Sequence, residues 1–252
     1  MIKILLSNDD GINSSGIYHL ADNLKEIGTV TVVAPELERS ASGHSITMHK
    51  PLRSKQVDFY PEGVEAWNIN GTPSDCVKFA ICSLLKEKPG LVVSGINQGS
   101  NLGTDVLYSG TVSAAIEGAI YGIPSIAVSL STFEKCDFSP YAKLAKELCK
   151  KLYENKIKTG LVMNINLPYI PIEEIKGVKI TRLGAMRYKN SFIERVDPRG
   201  MTYFWLSGEL DDADNELDTD VKCIENGFIS ITPIQHDLTS HETIEEMKNW
   251  NL

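Results

Sequence analysis

The chain has 252 residues, of which 42% are hydrophobic and 23% charged, and this composition is typical of a globular protein with a packed core. Its 25 basic residues against 33 acidic ones give a net charge of −8, which argues against binding a nucleic-acid duplex through the phosphate backbone. No apolar run reaches the ~18 residues of a membrane span, and the five cysteines contain no CxxC pair. We therefore predict a cytoplasmic protein with no membrane partner.

Short apolar runs alternate with helical patterns through residues 1–185. The pattern predicts strands at residues 2–7, 29–34, 64–69, 91–94, 125–129 and 161–165, and helices at residues 17–27, 73–86, 111–121 and 140–153. Strands that are almost entirely apolar and alternate with helices are typical of a parallel sheet covered on both faces. We predict an α/β fold with a doubly wound, mostly parallel sheet.

The pattern changes in residues 186–252. Residues 191–196 and 202–206 flank the turn sequence DPRG at Asp197–Gly200, which predicts a β-hairpin, and a short strand at 228–232 with an amphipathic tail follows. A hairpin alone is marginally stable in water, so we expect it to pack on another subunit or on the core. We interpret residues 1–185 as the core and 186–252 as an oligomerisation extension that is not an independent domain.

Polar loops follow three of the predicted strands. Asn8–Gly11 follows the first strand, residues 36–47 with Ser40 follow the second, and Gly95–Gly103 with Asn97 follows the strand at 91–94. Ligands of open α/β sheets bind beyond the carboxyl ends of the strands, so we expect a site where these loops meet.

The first loop carries two adjacent carboxylates, Asp9 and Asp10, where a dinucleotide-binding enzyme has glycines. These charges repel a phosphate unless a cation lies between, and carboxylate oxygens beside Asn and Ser oxygens suit Mg²⁺ or Mn²⁺. A helix-capping turn is the alternative, since Asp and Asn are favoured there. Two adjacent carboxylates after an apolar strand favour the metal site.

A second candidate is the turn Ser109-Gly110-Thr111, which precedes the predicted helix at 111–121. Backbone N–H groups at a helix N-terminus can hold phosphate oxygens, so this turn is a candidate phosphate-binding element together with Asn97. An ordinary Ser/Thr helix cap is the alternative.

These segments resemble the SurE family, the survival-protein 5′/3′-nucleotidases, along nearly the whole chain. The most specific segment is LVVSGINQGSNLGTDVLYSGTVSAAIEG at residues 91–118, and the others are ILLSNDDG (4–11), ERSASGHSIT (38–47), NGTPSDCVKFA (70–80), GIPSIAVS (122–129), NINLP (164–168), DPRG (197–200) and TDVKCIENGFISITP (219–233).

The resemblance implies a divalent-metal-dependent phosphomonoesterase that hydrolyses nucleoside 5′- and 3′-monophosphates, with polyphosphate as a further substrate of some members. It implies one divalent ion per subunit, with ligands matching Asp9, Asp10, Ser40 and Asn97. It also implies a Rossmann-like core whose hairpin and C-terminal segment are exchanged between the subunits of a homodimer or homotetramer.

The leading hypothesis is hydrolysis of a phosphate monoester, with Asp9 and Asp10 as the catalytic carboxylates. Activation of a water at the cation is the preferred route, and direct attack by one carboxylate is the alternative. Two other functions stay open: a non-catalytic, metal-dependent nucleotide-binding module and a metal-dependent nucleotide-sugar transferase.

Overall fold

The computed structural model describes residues 1–186, 188–189, 192–207, 209–210 and 216–250. Its strands are β1 (Ile2–Ser7), β2 (Gly28–Pro35), β3 (Ser54–Val57), β4 (Glu65–Ile69), β5 (Leu91–Gln98), β6 (Ser125–Ser131), β7 (Leu161–Pro168), β8 (Val178–Ile180), β9 (Tyr188–Lys189), β10 (Phe192–Val196), β11 (Thr202–Leu206), β12 (Glu209–Leu210) and β13 (Ile229–Gln235). Its α-helices are α1 (Ser15–Leu24), α2 (Pro73–Phe79), α3 (Gly110–Ile120), α4 (Ser139–Glu154), α5 (Asp220–Glu225) and α6 (His241–Met247).

The main sheet has nine strands in the order β3-β4-β2-β1-β5-β6-β7-β13-β8. Its central part, β4-β2-β1-β5-β6-β7, is parallel throughout, and the strand order reverses between β1 and β5. This is the order of a doubly wound sheet, so the predicted fold class is confirmed.

Helices cover both faces of the sheet because its central strands are apolar on both sides. Ile4 and Leu6 of β1 pack in a core cluster with Leu20 of α1, whereas Leu5 packs on the opposite face with Val77 of α2. Each such buried aliphatic side chain contributes roughly 2 kcal/mol through removal from water.

Three features of the sheet differ from the prediction. The edge strands β3 and β8 were not predicted, and the helix expected at 73–86 ends at Phe79 and continues as a π-helical turn at Ala80–Leu84. The strand predicted at 228–232, observed as β13, lies inside the main sheet, antiparallel to β7 and parallel to β8. The division of roles at residue 185 stays a prediction, but β13 belongs to the core sheet.

The predicted hairpin is confirmed by the antiparallel pairing of β10 with β11, although Ser191 lies outside the described residues. Asp197 stabilises its turn, since one carboxylate oxygen accepts hydrogen bonds from the backbone N–H groups of Arg199 (2.8 Å) and Met201 (2.9 Å). Apolar side chains are exposed along both strands: Phe192, Ile193, Val196, Tyr203, Phe204, Trp205 and Leu206. Among the described residues, no helix combines the length and apolar character needed to cross a bilayer.

Candidate active site

The candidate site lies where the strand order reverses, between the carboxyl ends of β1 and β5, which is where doubly wound sheets bind ligands. A cleft of about 220 Å³ opens there and is lined by Asp9, Ser40, Asn97 and Ser109, among others. Four of the predicted site residues, from four separate chain segments, are thus brought together.

Asp9 is held against the N-terminus of α3. It is only 5% exposed, and one of its carboxylate oxygens accepts a hydrogen bond from the Thr111 hydroxyl. A Cβ at Gly110 would lie 2.7 Å from Cβ of Asp9, so only glycine permits this approach. Burial raises the pKa of Asp9, while the Thr111 hydroxyl and the backbone N–H groups of Thr111 and Gly110 counteract that rise.

Asp10 reaches across the point of strand reversal. Its carboxylate accepts a hydrogen bond of 3.2 Å from the backbone N–H of Gln98, at the end of β5. Burial raises the pKa of Asp10 to about 7, with a further contribution from the negative charge of Asp9. Without a cation, the two carboxylates therefore hold their charges at a cost in free energy.

Ser40 lies on the loop that follows β2, and this loop is fastened to the site at two points. The backbone N–H of Arg39 donates to the backbone oxygen of Asp9 (2.7 Å), and that of Gly43 donates to the backbone oxygen of Tyr108 (2.9 Å). The Ser40 side chain is exposed, and its hydroxyl donates to Glu38 (2.6 Å). Its oxygen can still accept or coordinate, because a hydroxyl carries two lone pairs.

Asn97 lies at an irregularity in the sheet, since the β5–β6 register shifts between Ser94 and Asn97. Such irregularities re-aim side chains next to functional sites. The Asn97 amide nitrogen donates to the backbone oxygen of Gly99 (2.8 Å), so the amide oxygen is the atom suited to contact a cation.

The Ser109–Thr111 turn serves both as a helix cap and as a wall of the cleft. The Ser109 hydroxyl accepts a hydrogen bond from the backbone N–H of Val112 (3.1 Å), which makes Ser109 the N-cap of α3. Capping uses an acceptor position of this hydroxyl, and its O–H group can still donate to a ligand. The Thr111 hydroxyl donates to Asp9, so Thr111 positions a carboxylate.

Two buried carboxylates that support the Ser40 loop were not found by the sequence analysis. Glu117 of α3, 3% exposed, contacts His44 of the loop (2.7 Å) and Lys78 of α2 (3.3 Å). Burial alone would raise the pKa of Glu117, but the hydrogen bond from His44 and the charge of Lys78 bring it below its ordinary value. Asp75 accepts from the backbone N–H of Thr47 (3.0 Å) and so holds the end of the loop.

Of these two carboxylates, only Asp75 belongs to a pattern that can be recognised in the sequence. Its spacing from Thr72 is that of a capping box, which the structure contains, whereas nothing in the sequence around Glu117 indicates its partners.

The donor set suits a hard divalent cation. Asp9, Asp10, Ser40 and Asn97 offer oxygen atoms, and hard cations such as Mg²⁺ and Mn²⁺ prefer these. Across the part of the chain that the structure describes, no group of three or more His, Cys, Asp and Glu side chains is arranged as a metal site. The candidate set differs from such groups because two of its four candidate ligands, Ser40 and Asn97, are neutral side chains.

Comparisons with known proteins identify the family of this chain. Residues 4–190 match the family model described as Survival protein SurE. Proteins named 5′-nucleotidase SurE are 52% identical in Moorella thermoacetica (97% of this chain, 94% of that protein) and 50% identical in Alkaliphilus metalliredigens (100% and 99%). The crystal structure of SurE protein from Aquifex aeolicus superposes with a TM-score of 0.86 at 41% identity and covers 98% of each chain. The chain therefore belongs to the SurE family.

Proposed function

We propose that this chain is a divalent-metal-dependent 5′-nucleotidase, a phosphoric monoester hydrolase that releases phosphate from nucleoside monophosphates. The observation that carries the proposal is that Asp9 and Asn97 line one cleft at the point of strand reversal together with Ser109, the N-cap of α3. Asp10 does not line this cleft, but it is bound to the backbone of Gln98, which does. The names of the relatives support it, since they are 5′-nucleotidases.

The proposed metal site holds one divalent ion per subunit, Mg²⁺ or Mn²⁺, between Asp9, Asp10, Ser40 and Asn97. Support comes from the adjacent carboxylates of buried Asp9 and partly buried Asp10, since burial and the charge of Asp9 raise the pKa of Asp10 to about 7. Such an ion supplies neutralisation of the phosphoryl charge and activation of water at neutral pH.

The protein's own part in the reaction is to position the substrate. Asp9 is fixed by Thr111 and the first turn of α3, and Asn97 is fixed through Gly99. The Ser109 hydroxyl donates to a phosphate oxygen in the proposed complex, while α3 directs its positive dipole end toward the same place. Positioning and charge stabilisation supply most of the catalysis in phosphoryl transfer, so these contacts orient the ester for in-line attack.

We further propose a homodimer or homotetramer assembled through the β10–β11 hairpin. The support is the row of exposed apolar side chains on both strands, because a hairpin with this surface is stabilised when a second subunit covers it. We also place the protein in the cytoplasm: all five cysteines lie within the described residues, and they form no disulfide there.

A phosphate-release assay on a substrate panel tests the proposal. The panel contains 5′- and 3′-nucleoside monophosphates and polyphosphate, each with Mg²⁺, with Mn²⁺ and with a chelator. We expect divalent-ion-dependent release from 5′-monophosphates, and the other two substrate classes define the range of the activity. Nucleotide binding without phosphate release would establish a binding module instead. A further arm with a nucleotide-sugar and an acceptor tests the transferase: formation of free nucleotide and glycosylated acceptor there, without phosphate release from any monophosphate, would establish a transferase.

Substitution of Ser109 separates phosphate binding from helix capping. Ser109→Gly removes the O–H donor but weakens the N-cap by only roughly a few tenths of a kcal/mol and adds no charge, so we expect the KM for nucleoside monophosphates to rise by about tenfold at nearly unchanged Tm. Ser109→Ala loses the cap as well, and we expect a fall in Tm of roughly 2–4 °C together with a raised KM. An unchanged KM in both variants would leave Ser109 with capping alone.

A further inference from the structure

The cleft of the candidate site is lined by more than the residues proposed to bind metal and phosphate. Besides Asp9, Asn97 and Ser109, its walls include the aromatic side chains of Phe133, on the loop after β6, and Tyr108, before α3. These rings and Ser109 line the same cleft, so a nucleoside monophosphate whose phosphate lies at Ser109 can bring its nucleoside against them.

Phe133 is exposed and yet held in a defined place. Its side chain is 85% exposed, while its loop is fastened by the Gln98 side-chain amide, which donates to the backbone oxygens of Phe133 and Glu134 at 3.0 Å each. Gln98 is also the residue whose backbone N–H contacts Asp10, so one residue connects the aromatic loop to the carboxylate pair.

Gly99 makes room for the Phe133 ring. A Cβ at Gly99 would lie 2.8 Å from Cε1 of Phe133, and the backbone of Gly99 has a φ of 117°, which disfavours any other residue. The ring edge therefore packs on bare backbone, and the rest of the ring remains open to the solvent.

Tyr108 supplies a second aromatic surface in the same cleft. It is 65% exposed, and its backbone oxygen accepts the hydrogen bond from Gly43 that fastens the Ser40 loop. Two exposed aromatic side chains thus line a cleft whose other lining residues are mostly polar.

We propose that Phe133 and Tyr108 form the nucleobase subsite, where the base of the substrate stacks on an aromatic ring; this proposal rests on the proposed nucleotidase activity. Stacking requires only a π-face, which every base has, so the subsite distinguishes nucleotides from other phosphate esters more strongly than it distinguishes one base from another. Purines gain more than pyrimidines, because their ring overlap is larger.

The test compares adenosine 5′-monophosphate with ribose 5-phosphate, which has the same ester but no base. In the unmodified protein we expect a higher kcat/KM for the nucleotide. In Phe133→Ala we expect the ratio of the two kcat/KM values to fall by about tenfold, mainly through the KM of the nucleotide. Phe133→Tyr should restore the ratio, and Tyr108→Ala should lower it less steeply if Phe133 is the principal stacking surface.

Leu107→Ala is the matched control, since Leu107 is also 65% exposed and adjoins Tyr108 but does not line the cleft. It should keep the ratio of the unmodified protein. An equal loss on both substrates in Phe133→Ala, with or without a changed oligomeric state on size-exclusion chromatography, would overturn the subsite.

Failure of the subsite and failure of the nucleotidase proposal are distinguishable. Hydrolysis of ribose 5-phosphate as efficient as that of the nucleotide would overturn the subsite and uphold phosphomonoesterase activity. If neither ester is hydrolysed, the nucleotidase proposal fails, and calorimetric titration with adenosine 5′-monophosphate and Mg²⁺ decides the subsite. A roughly tenfold weaker Kd in Phe133→Ala supports stacking, and an equal Kd overturns it.

Discussion

Replacing Asp9 by asparagine is expected to abolish nucleotide hydrolysis and to weaken divalent-ion binding while the fold stays intact. Asparagine keeps an acceptor oxygen for the Thr111 hydroxyl, but it lacks the negative charge that holds a cation. Charge stabilisation by a bound divalent ion contributes several kcal/mol to such reactions, so we expect kcat/KM to fall on the order of 10³-fold or more.

Phosphate release measures the loss of activity, and calorimetric titration with Mn²⁺ measures the loss of metal binding. Asp58→Asn is the matched control, because Asp58 is an exposed carboxylate after β3 and does not line the cleft. The control should bind Mn²⁺ and turn over substrate like the unmodified protein. Activity of Asp9→Asn within tenfold of the control would contradict the role of Asp9.

Divalent ions are expected to stabilise the protein against heat more strongly at about pH 8 than at about pH 5. In the metal-free protein the pKa of Asp10 is raised from its ordinary value of 3.8 to about 7. Between these values the folded state keeps a proton that the unfolded chain has lost. The free energy of unfolding of the metal-free protein therefore falls as the pH rises through this window and levels off above it.

A cation binds the deprotonated carboxylate, so it competes with the proton below about pH 7 and binds freely above it. We expect the rise in Tm on adding Mg²⁺ to be larger at the higher pH by roughly 5 °C. Asp10→Asn should raise the Tm of the metal-free protein at the higher pH and should lose the response to Mg²⁺, while Asp58→Asn should keep it. An Mg²⁺-induced shift of the same size at both pH values would contradict the prediction.

The central fold could be predicted because its strands are apolar runs separated by amphipathic helices. The strands that were missed lack that signal: β3 has the sequence SKQV and is largely exposed, and all three residues of β8 are exposed. These edge strands are held by backbone pairing with a neighbour that the amino-acid pattern does not identify.

Much of the candidate site was predictable for a topological reason. Asp9 and Asp10 come shortly after β1 and Asn97 lies at the end of β5, and the carboxyl ends of such parallel strands meet at one edge of the sheet. The position of Ser40 depends instead on a long loop, whose path is set by Glu117, Asp75 and the backbone of Tyr108. Glu117 of α3 and Asp75 of α2 are far from the Ser40 loop in the sequence. They come to lie beside it through the packing of α2 against α3, and a single sequence does not specify that packing.

The place of β13 in the sheet has a consequence for the order in which the chain can fold during synthesis. Among the described strands, β8 pairs with β13 alone, which is translated later, and β13 also covers the open edge of β7. A nascent chain that ends before Ile229 therefore exposes the unpaired backbone of β7, a surface prone to intermolecular pairing. The segments that line the cleft all precede β7, but Asn101 of that lining is hydrogen-bonded to Asn164 and Asn166 of β7, and the backbone N–H of Gly103 donates to Asp220. We therefore expect the candidate site to be completed at the same late stage of translation that protects this edge.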